Sequence, residues 1–257
     1  MARILVLWLI VSISWASPNL IEETALTYSL SADLQRGRLI KLENKGHSFV
    51  AILDDARSST IEGVAILLPD AGFRADSDVL AGLRQLLPAH GWSTLSLQLP
   101  VLEPEAELDE YYLLIPDASQ RIKEAVTRMK ARGIENIALI GHGFGAVVAL
   151  NYGGLYPDGA VRALVLMSPW WPQDRKGEMT GWLFKSKVPV LDITAEHDSS
   201  RIRATTDDRY QSLKGLKGFR QWKISGAGHE YQGYGEALAK RIYGWLKAVT
   251  AAGGVAR

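Results

Sequence analysis

Residues 137–146 read IALIGHGFGA. The first four are apolar and suit a short strand buried on both faces of a parallel sheet. Glycines at 141, 143 and 145 then mark a tight turn, and 146–152 (AVVALNY) continues as a helix. A strand that passes through a glycine-rich turn directly into a helix sets that turn at the carboxyl edge of the sheet, with helix N–H groups facing it. The stretch predicts an α/β architecture with residue 143 at its sharpest point.

The alternation of strand and helix extends in both directions. Upstream, 64–68 (VAILL) is another continuous apolar run and stops at Pro69-Asp70-Ala71-Gly72. A helix capped near Asp76 or Ser77 then carries Val79, Leu80, Leu83, Leu86 and Leu87 on one side until Gly91, and 92–99 is the next strand. Residues 101–116 (VLEPEAELDEYYLLIP), acidic with an aromatic and aliphatic end, predict a loop or partial lid before a long helix over 117–132. Nearer the start, 47–53 (HSFVAIL) reads as a strand and 54–60 as a turn-rich connection, while 17–45 reads as an irregular lead-in to an edge strand around 38–42. Downstream, strands are expected at 163–167, 190–194 and 219–224, with helices over 207–213 and 235–249. Between the first two of those strands, 168–187 (SPWWPQDRKGEMTGWLFKSK) forms a tryptophan-rich excursion at the sheet's carboxyl edge. The expected fold is α/β: a single, mostly parallel sheet of about eight strands covered by helices on both faces, in one domain.

Bulk properties agree with one large domain: the chain has 257 residues, of which 47% are hydrophobic. Basic residues (29) nearly balance acidic ones (28), and no basic cluster tracks a phosphate backbone, so nucleic acid is not an expected partner. There is no cysteine, which excludes thiolate metal sites and Cys nucleophiles. Arg3, the apolar run 4–13 and Ser14-Trp15-Ala16 followed by Pro18 have the layout of a secretory signal peptide. Residues 1–16 are expected to be removed, leaving 17–257 as an exported, periplasmic domain with no transmembrane segment.

The turn at 141–145 matches the nucleophile elbow, G-x-S-x-G, except that Gly143 stands where the serine is required. Gly141 and Gly145 match the flanking glycines, and His142 a common filler. On these residues the chain resembles the α/β-hydrolase superfamily. That superfamily's order of nucleophile, acid and histidine is met by Asp198, directly after a strand, and by His229, between the last strand and last helix. The loop holding Ala71, Gly72 and Phe73 lies where the superfamily places its oxyanion donors, without reproducing H-G-x-G. The whole chain also resembles a bacterial family of exported α/β-hydrolase-like proteins of unknown function, with an elbow that reads G-H-G-x-G-A. That resemblance implies a fold and an envelope location and supplies no substrate.

Gly143 removes the attacking atom, while the amides of Phe144 and of the 71–73 loop remain as anion donors. Two readings follow. In one, the protein is non-catalytic or much reduced, binding a small-molecule ligand or an envelope protein through the old pocket and the loop of Trp170, Trp171 and Trp182. In the other, it is an ester or acyl hydrolase using water activated by His229–Asp198, or a hydroxyl from Ser168, Ser199 or Tyr112. A serine at 143 is then expected to gain esterase activity. No cofactor is expected: GHGFGA lacks both G-x-G-x-x-G and the ending of a P-loop. No metal is expected either, since Glu196, His197, Asp198 and His229 lack a ligand spacing such as H-E-x-x-H. His47 and His90, with His197, are expected on the surface or in turns.

Overall fold

The computed structural model describes residues 17–250 except 45 and 158. The expected signal peptide therefore lies outside the described residues. Eight strands form one sheet: β1 (Arg38–Asn44), β2 (His47–Asp54), β3 (Gly63–Leu68), β4 (Trp92–Leu97), β5 (Ile137–His142), β6 (Val161–Met167), β7 (Val190–His197) and β8 (Arg220–Gly228). Their order is β1-β2-β4-β3-β5-β6-β7-β8. The two ladders made by β2 are antiparallel, and every pairing from β4 through β8 is parallel.

Side chains alternate between two cores, as the pleat requires. Val64, Ile66, Leu68 and Leu139 point to one face, against α3 (Ile115–Ala131), α4 (Phe144–Leu155) and α5 (Lys176–Ser186). Ala65, Leu67, Ala138 and Ile140 point to the other, against α2 (Asp78–Leu86) and α7 (Gly235–Thr250). With both faces covered, β3 and β5 are buried throughout, which is why they read as unbroken apolar runs. The remaining helices are α1 (Leu20–Asp33) and α6 (Ser200–Leu213).

Two segments differ from the sequence reading. Residues 17–45 are no irregular lead-in, because α1 occupies much of them, opened by the Asn19 side chain accepting from the amides of Ile21 and Glu22 at 3.0 and 3.1 Å. Its only fully buried apolar side chain is Leu30, so it has no apolar stripe to betray it. Glu23 instead makes a bidentate pair with Arg121 of α3 at 2.6 and 2.9 Å, both residues buried. Likewise α6 begins at Ser200, where the hydroxyl of Ser199 caps it, and not at Asp207. In the tryptophan-rich excursion, Trp170 and Trp171 are buried in the core. No helix among the described residues is long and apolar enough to cross a membrane.

Strand order reverses between β3 and β5: the connection through α2 leads to one side of β3, that through α3 to the other. In an open parallel sheet such a point leaves a crevice at the carboxyl edge.

Candidate functional site

At that edge the ends of β3, β5, β7 and β8 bring Asp70, Gly143, Asp198 and His229 together. The turn from β5 into α4 is tight enough that a Cβ on Gly141 would stand 2.3 Å from the Gly145 carbonyl oxygen, and one on Gly145 2.1 Å from that of Leu68. Both glycines are thus fixed by close backbone approach. Gly143 adopts φ 50 and ψ −114, a conformation costly for any residue with a side chain.

The space in front of Gly143 is filled. A Cβ built there would lie 2.0–2.2 Å from all three carboxyl atoms of Asp70. Oδ1 of Asp70 accepts from the amide of Phe144, the first residue of α4, at 2.6 Å and from that of Ala71 at 2.7 Å. Its Oδ2 meets Nε2 of His229 at 2.9 Å. On the far side, Nδ1 of His229 meets Oδ1 of Asp198 at 2.8 Å. Asp198 is steadied by the amide of Ser199 at 2.8 Å and by the Ser168 hydroxyl. His142 lies beneath, its ring 4.5 Å from that of His229, with Nε2 3.0 Å from the His229 carbonyl oxygen.

An imidazole between two carboxylates holds its proton. Burial opposes the charge on His229, but hydrogen bonds to Asp198 and Asp70 and their negative charges outweigh it, lifting the pKa from 6.5 to about 10. Burial likewise works against ionised Asp70 and Asp198, and their hydrogen bonds to His229 lead the opposing effects that keep both pKa values below the ordinary 3.8. The histidine's stabilising contribution is complete below pH 6.5 and is lost as pH rises through about 10. The carboxylates' contributions are complete above 3.8 and lost on acidification. The melting temperature of wild type is therefore expected to fall more steeply between pH 6.5 and 10 than that of His229→Gln. Parallel curves in calorimetry would show that His229 is not protonated in the folded state.

The predicted residues divide clearly. Gly141, His142, Gly143, Gly145, Asp198, His229 and the amides of Ala71 and Phe144 converge. Phe73 supplies no donor to the centre, because its amide closes a turn onto the Asp70 carbonyl at 3.2 Å. Gly72, at φ 77, allows the loop to pass Tyr111, whose hydroxyl would lie 3.3 Å from a Cβ there. The three alternative hydroxyls are committed elsewhere: Ser168 to Asp198 and Tyr231, Ser199 to the start of α6, Tyr112 to Glu178. The residue that sequence reasoning missed is Asp70. Its signal was an acidic residue directly after a fully buried strand, facing a glycine in the elbow.

Asp70, Ala71, Phe73, Leu102, Glu22 and Tyr111 line part of a pocket of about 410 Å³. Potential metal-binding atoms of Asp70, His142 and His229 lie within 4.8 Å of one another. The contacts at both His229 nitrogens assign the group to an imidazolium held between two carboxylates.

The fold is that of α/β hydrolases. Est1E from Butyrivibrio proteoclasticus superposes with a TM-score of 0.64 at 15% identity, over 83% of this chain and 99% of its own. A dienelactone hydrolase from Anabaena variabilis gives 0.64 at 19% identity, over 83% and 98%. The monoacylglycerol lipase of Paleococcus ferrophilus gives 0.63 at 15%, over 78% and 98%. At such identities the likeness concerns the fold. No curated protein matches the sequence significantly. A family model described as "Protein of unknown function (DUF3530)" matches residues 14–116 and 114–248.

Proposed function

The chain belongs to this DUF3530 family, and we propose that it is an exported protein that performs no serine-type acyl transfer and takes a small molecule in the pocket beside Asp70. One observation carries the reading: the Asp70 carboxylate occupies, at once, both amide donors and His229 Nε2. A serine hydrolase keeps those groups for the nucleophile and the oxyanion of its substrate. Here an ester carbonyl reaches them only by displacing a charged group held by three hydrogen bonds, and Gly143 offers no oxygen to attack it. A protonated His229 also cannot draw a proton from water while Asp70 is charged.

The surroundings favour a neutral or cationic ligand. The Asp70–His229–Asp198 chain carries one more negative charge than positive, and Glu22 lines the same pocket. Trp170 and Trp171 are buried and Trp182 is half-buried, so two of the three tryptophans of that loop are withdrawn from a binding surface, which favours the pocket beside Asp70. Export rests on the signal-peptide layout of residues 1–16, which points to a cell-envelope, periplasmic location.

Purified protein is expected to resist labelling by a fluorophosphonate and to leave p-nitrophenyl acetate unhydrolysed above a His229→Ala control. His229-dependent hydrolysis would overturn the reading. Protein isolated from its native host is expected to begin at Ser17 or within a few residues, and an intact Met1 would remove the export proposal.

A further inference from the structure

The amides of Ala71 and Phe144 grip one oxygen of Asp70 and leave the other facing His229. In a hydrolase, two such N–H donors mark the carbonyl oxygen at which negative charge develops. In this protein that oxygen is Oδ1 of Asp70 itself. The donors are thus placed for hydrolysis of an ester made on Asp70, with Oδ2 as its ester oxygen and His229 beside it. Asp70 also lines the pocket, so a bound molecule can reach it.

Tyr111 lines the same pocket. Its hydroxyl accepts from the amide of Leu102 at 3.2 Å, and among the described residues no protein acceptor takes its proton. Burial, with the charge on Asp70, pushes its pKa up, so it remains a donor.

We infer that Asp70 is a carboxylate nucleophile and that the site hydrolyses a neutral epoxide in two steps through an alkyl ester on Asp70, an activity beyond the absence of acyl transfer argued above. Acyl substrates are excluded by the occupied amides, and anions by the local charge. An epoxide is neutral, reacts at a saturated carbon, and develops charge on a single oxygen, which one hydroxyl donor can meet.

The steps balance. Oδ2 of Asp70 attacks a ring carbon, its lone pair forming the new C–O bond as the ring C–O bond breaks onto the oxygen, and Tyr111 protonates that oxygen. Esterification abolishes the negative charge that helps hold the proton on His229, so the imidazolium returns a proton to the Tyr111 oxygen through water. Neutral His229, oriented by Asp198, then takes a proton from water as the water oxygen attacks Cγ of Asp70. The amides hold the charge on Oδ1, the Cγ–Oδ2 bond breaks, the proton of the new hydroxyl on Cγ passes to the departing Oδ2, and the diol leaves with the Asp70 carboxylate and imidazolium restored. The sum is epoxide plus water to diol.

The probe is styrene oxide with the intact protein. His229→Gln lacks the base for the second step and is expected to gain the mass of one styrene oxide, on the peptide containing Asp70. Wild type in heavy-oxygen water, under single-turnover conditions, is expected to carry label in the Asp70 carboxyl. Tyr111→Phe is expected to slow reaction with styrene oxide about 100-fold or more while its circular dichroism stays that of wild type. Should His229→Gln fold, as judged by circular dichroism, and show no adduct, or should wild type form diol with label only in the product, Asp70 is not the nucleophile. Should His229→Gln fail to fold, the labelling of wild type decides alone, and no diol from wild type overturns the proposal. Fluorophosphonate labelling of wild type would instead refute the lack of acyl transfer, independently of these outcomes.

Discussion

Gly143→Ser is expected to melt well below wild type and to gain no esterase activity. The new Cβ meets the Asp70 carboxyl group at 2.0–2.2 Å, on a backbone whose φ of 50 already penalises a side chain. Strain of this kind costs about 1–3 kcal/mol, and the forced displacement of a hydrogen-bonded carboxylate brings the expected loss to about 3–5 kcal/mol. The elbow pattern alone predicts a gain of activity from this substitution; the carboxylate standing in the serine's place reverses that expectation. Asp70→Gly together with Gly143→Ser removes the clash and returns both amides and His229 to a serine. This double variant is expected to be more stable than Gly143→Ser alone and to hydrolyse p-nitrophenyl acetate, with His229→Ala abolishing the gain. Thermal unfolding and initial rates test both halves. A Gly143→Ser variant that melts like wild type would show that the Asp70 carboxylate does not occupy this space.

The second large effect is expected far from the site. Glu23→Ala leaves Arg121, 4% exposed, without its bidentate partner and with only the longer contact to the half-exposed Asp117 carboxylate at 3.6 Å. Breaking one side of a buried pair costs about 3–5 kcal/mol when the remaining charge is unpaired, and the Asp117 contact places the expected loss at the lower end of that range. The hydrogen bond from Arg121 to the Gln98 carbonyl at 3.0 Å satisfies one of its N–H groups and cannot neutralise it. Denaturant unfolding is expected to report the loss as a lower midpoint. Glu23→Leu with Arg121→Met, which replaces the pair with apolar side chains, is expected to recover much of it. Equal stability of Glu23→Ala and wild type would mean that α1 does not depend on the pair.

Both expectations bear on what the sequence could reveal. The parallel strands were legible because burial on two faces writes them as runs such as VAILL, and their parallel pairing followed from alternation with helices. The positions of Gly143, Asp198 and His229 were legible because their spacing follows an elbow, an acid and a histidine in chain order. α1 was not, since it is anchored through Glu23 to a partner 98 residues away. Asp70 was visible as a residue and opaque as a role, because its meaning lies in contacts with Phe144 and His229, 74 and 159 residues distant. Hydrophobic period records burial, whereas a polar contact across such distances leaves no period.

The exclusion between the side chains at 70 and 143 also constrains how such a site could arise. A serine elbow with glycine at 70 and the present pair are each self-consistent, and two single substitutions separate their residue types. The intermediate with both aspartate and serine carries the clash, and its loss of about 3–5 kcal/mol consumes much of the marginal stability of a folded domain. The intermediate with glycine at both positions has neither clash nor nucleophile. A lineage crossing between the two forms in single steps therefore loses least stability by way of a folded but chemically empty protein. Such a protein persists only where binding, and not turnover, is what selection retains.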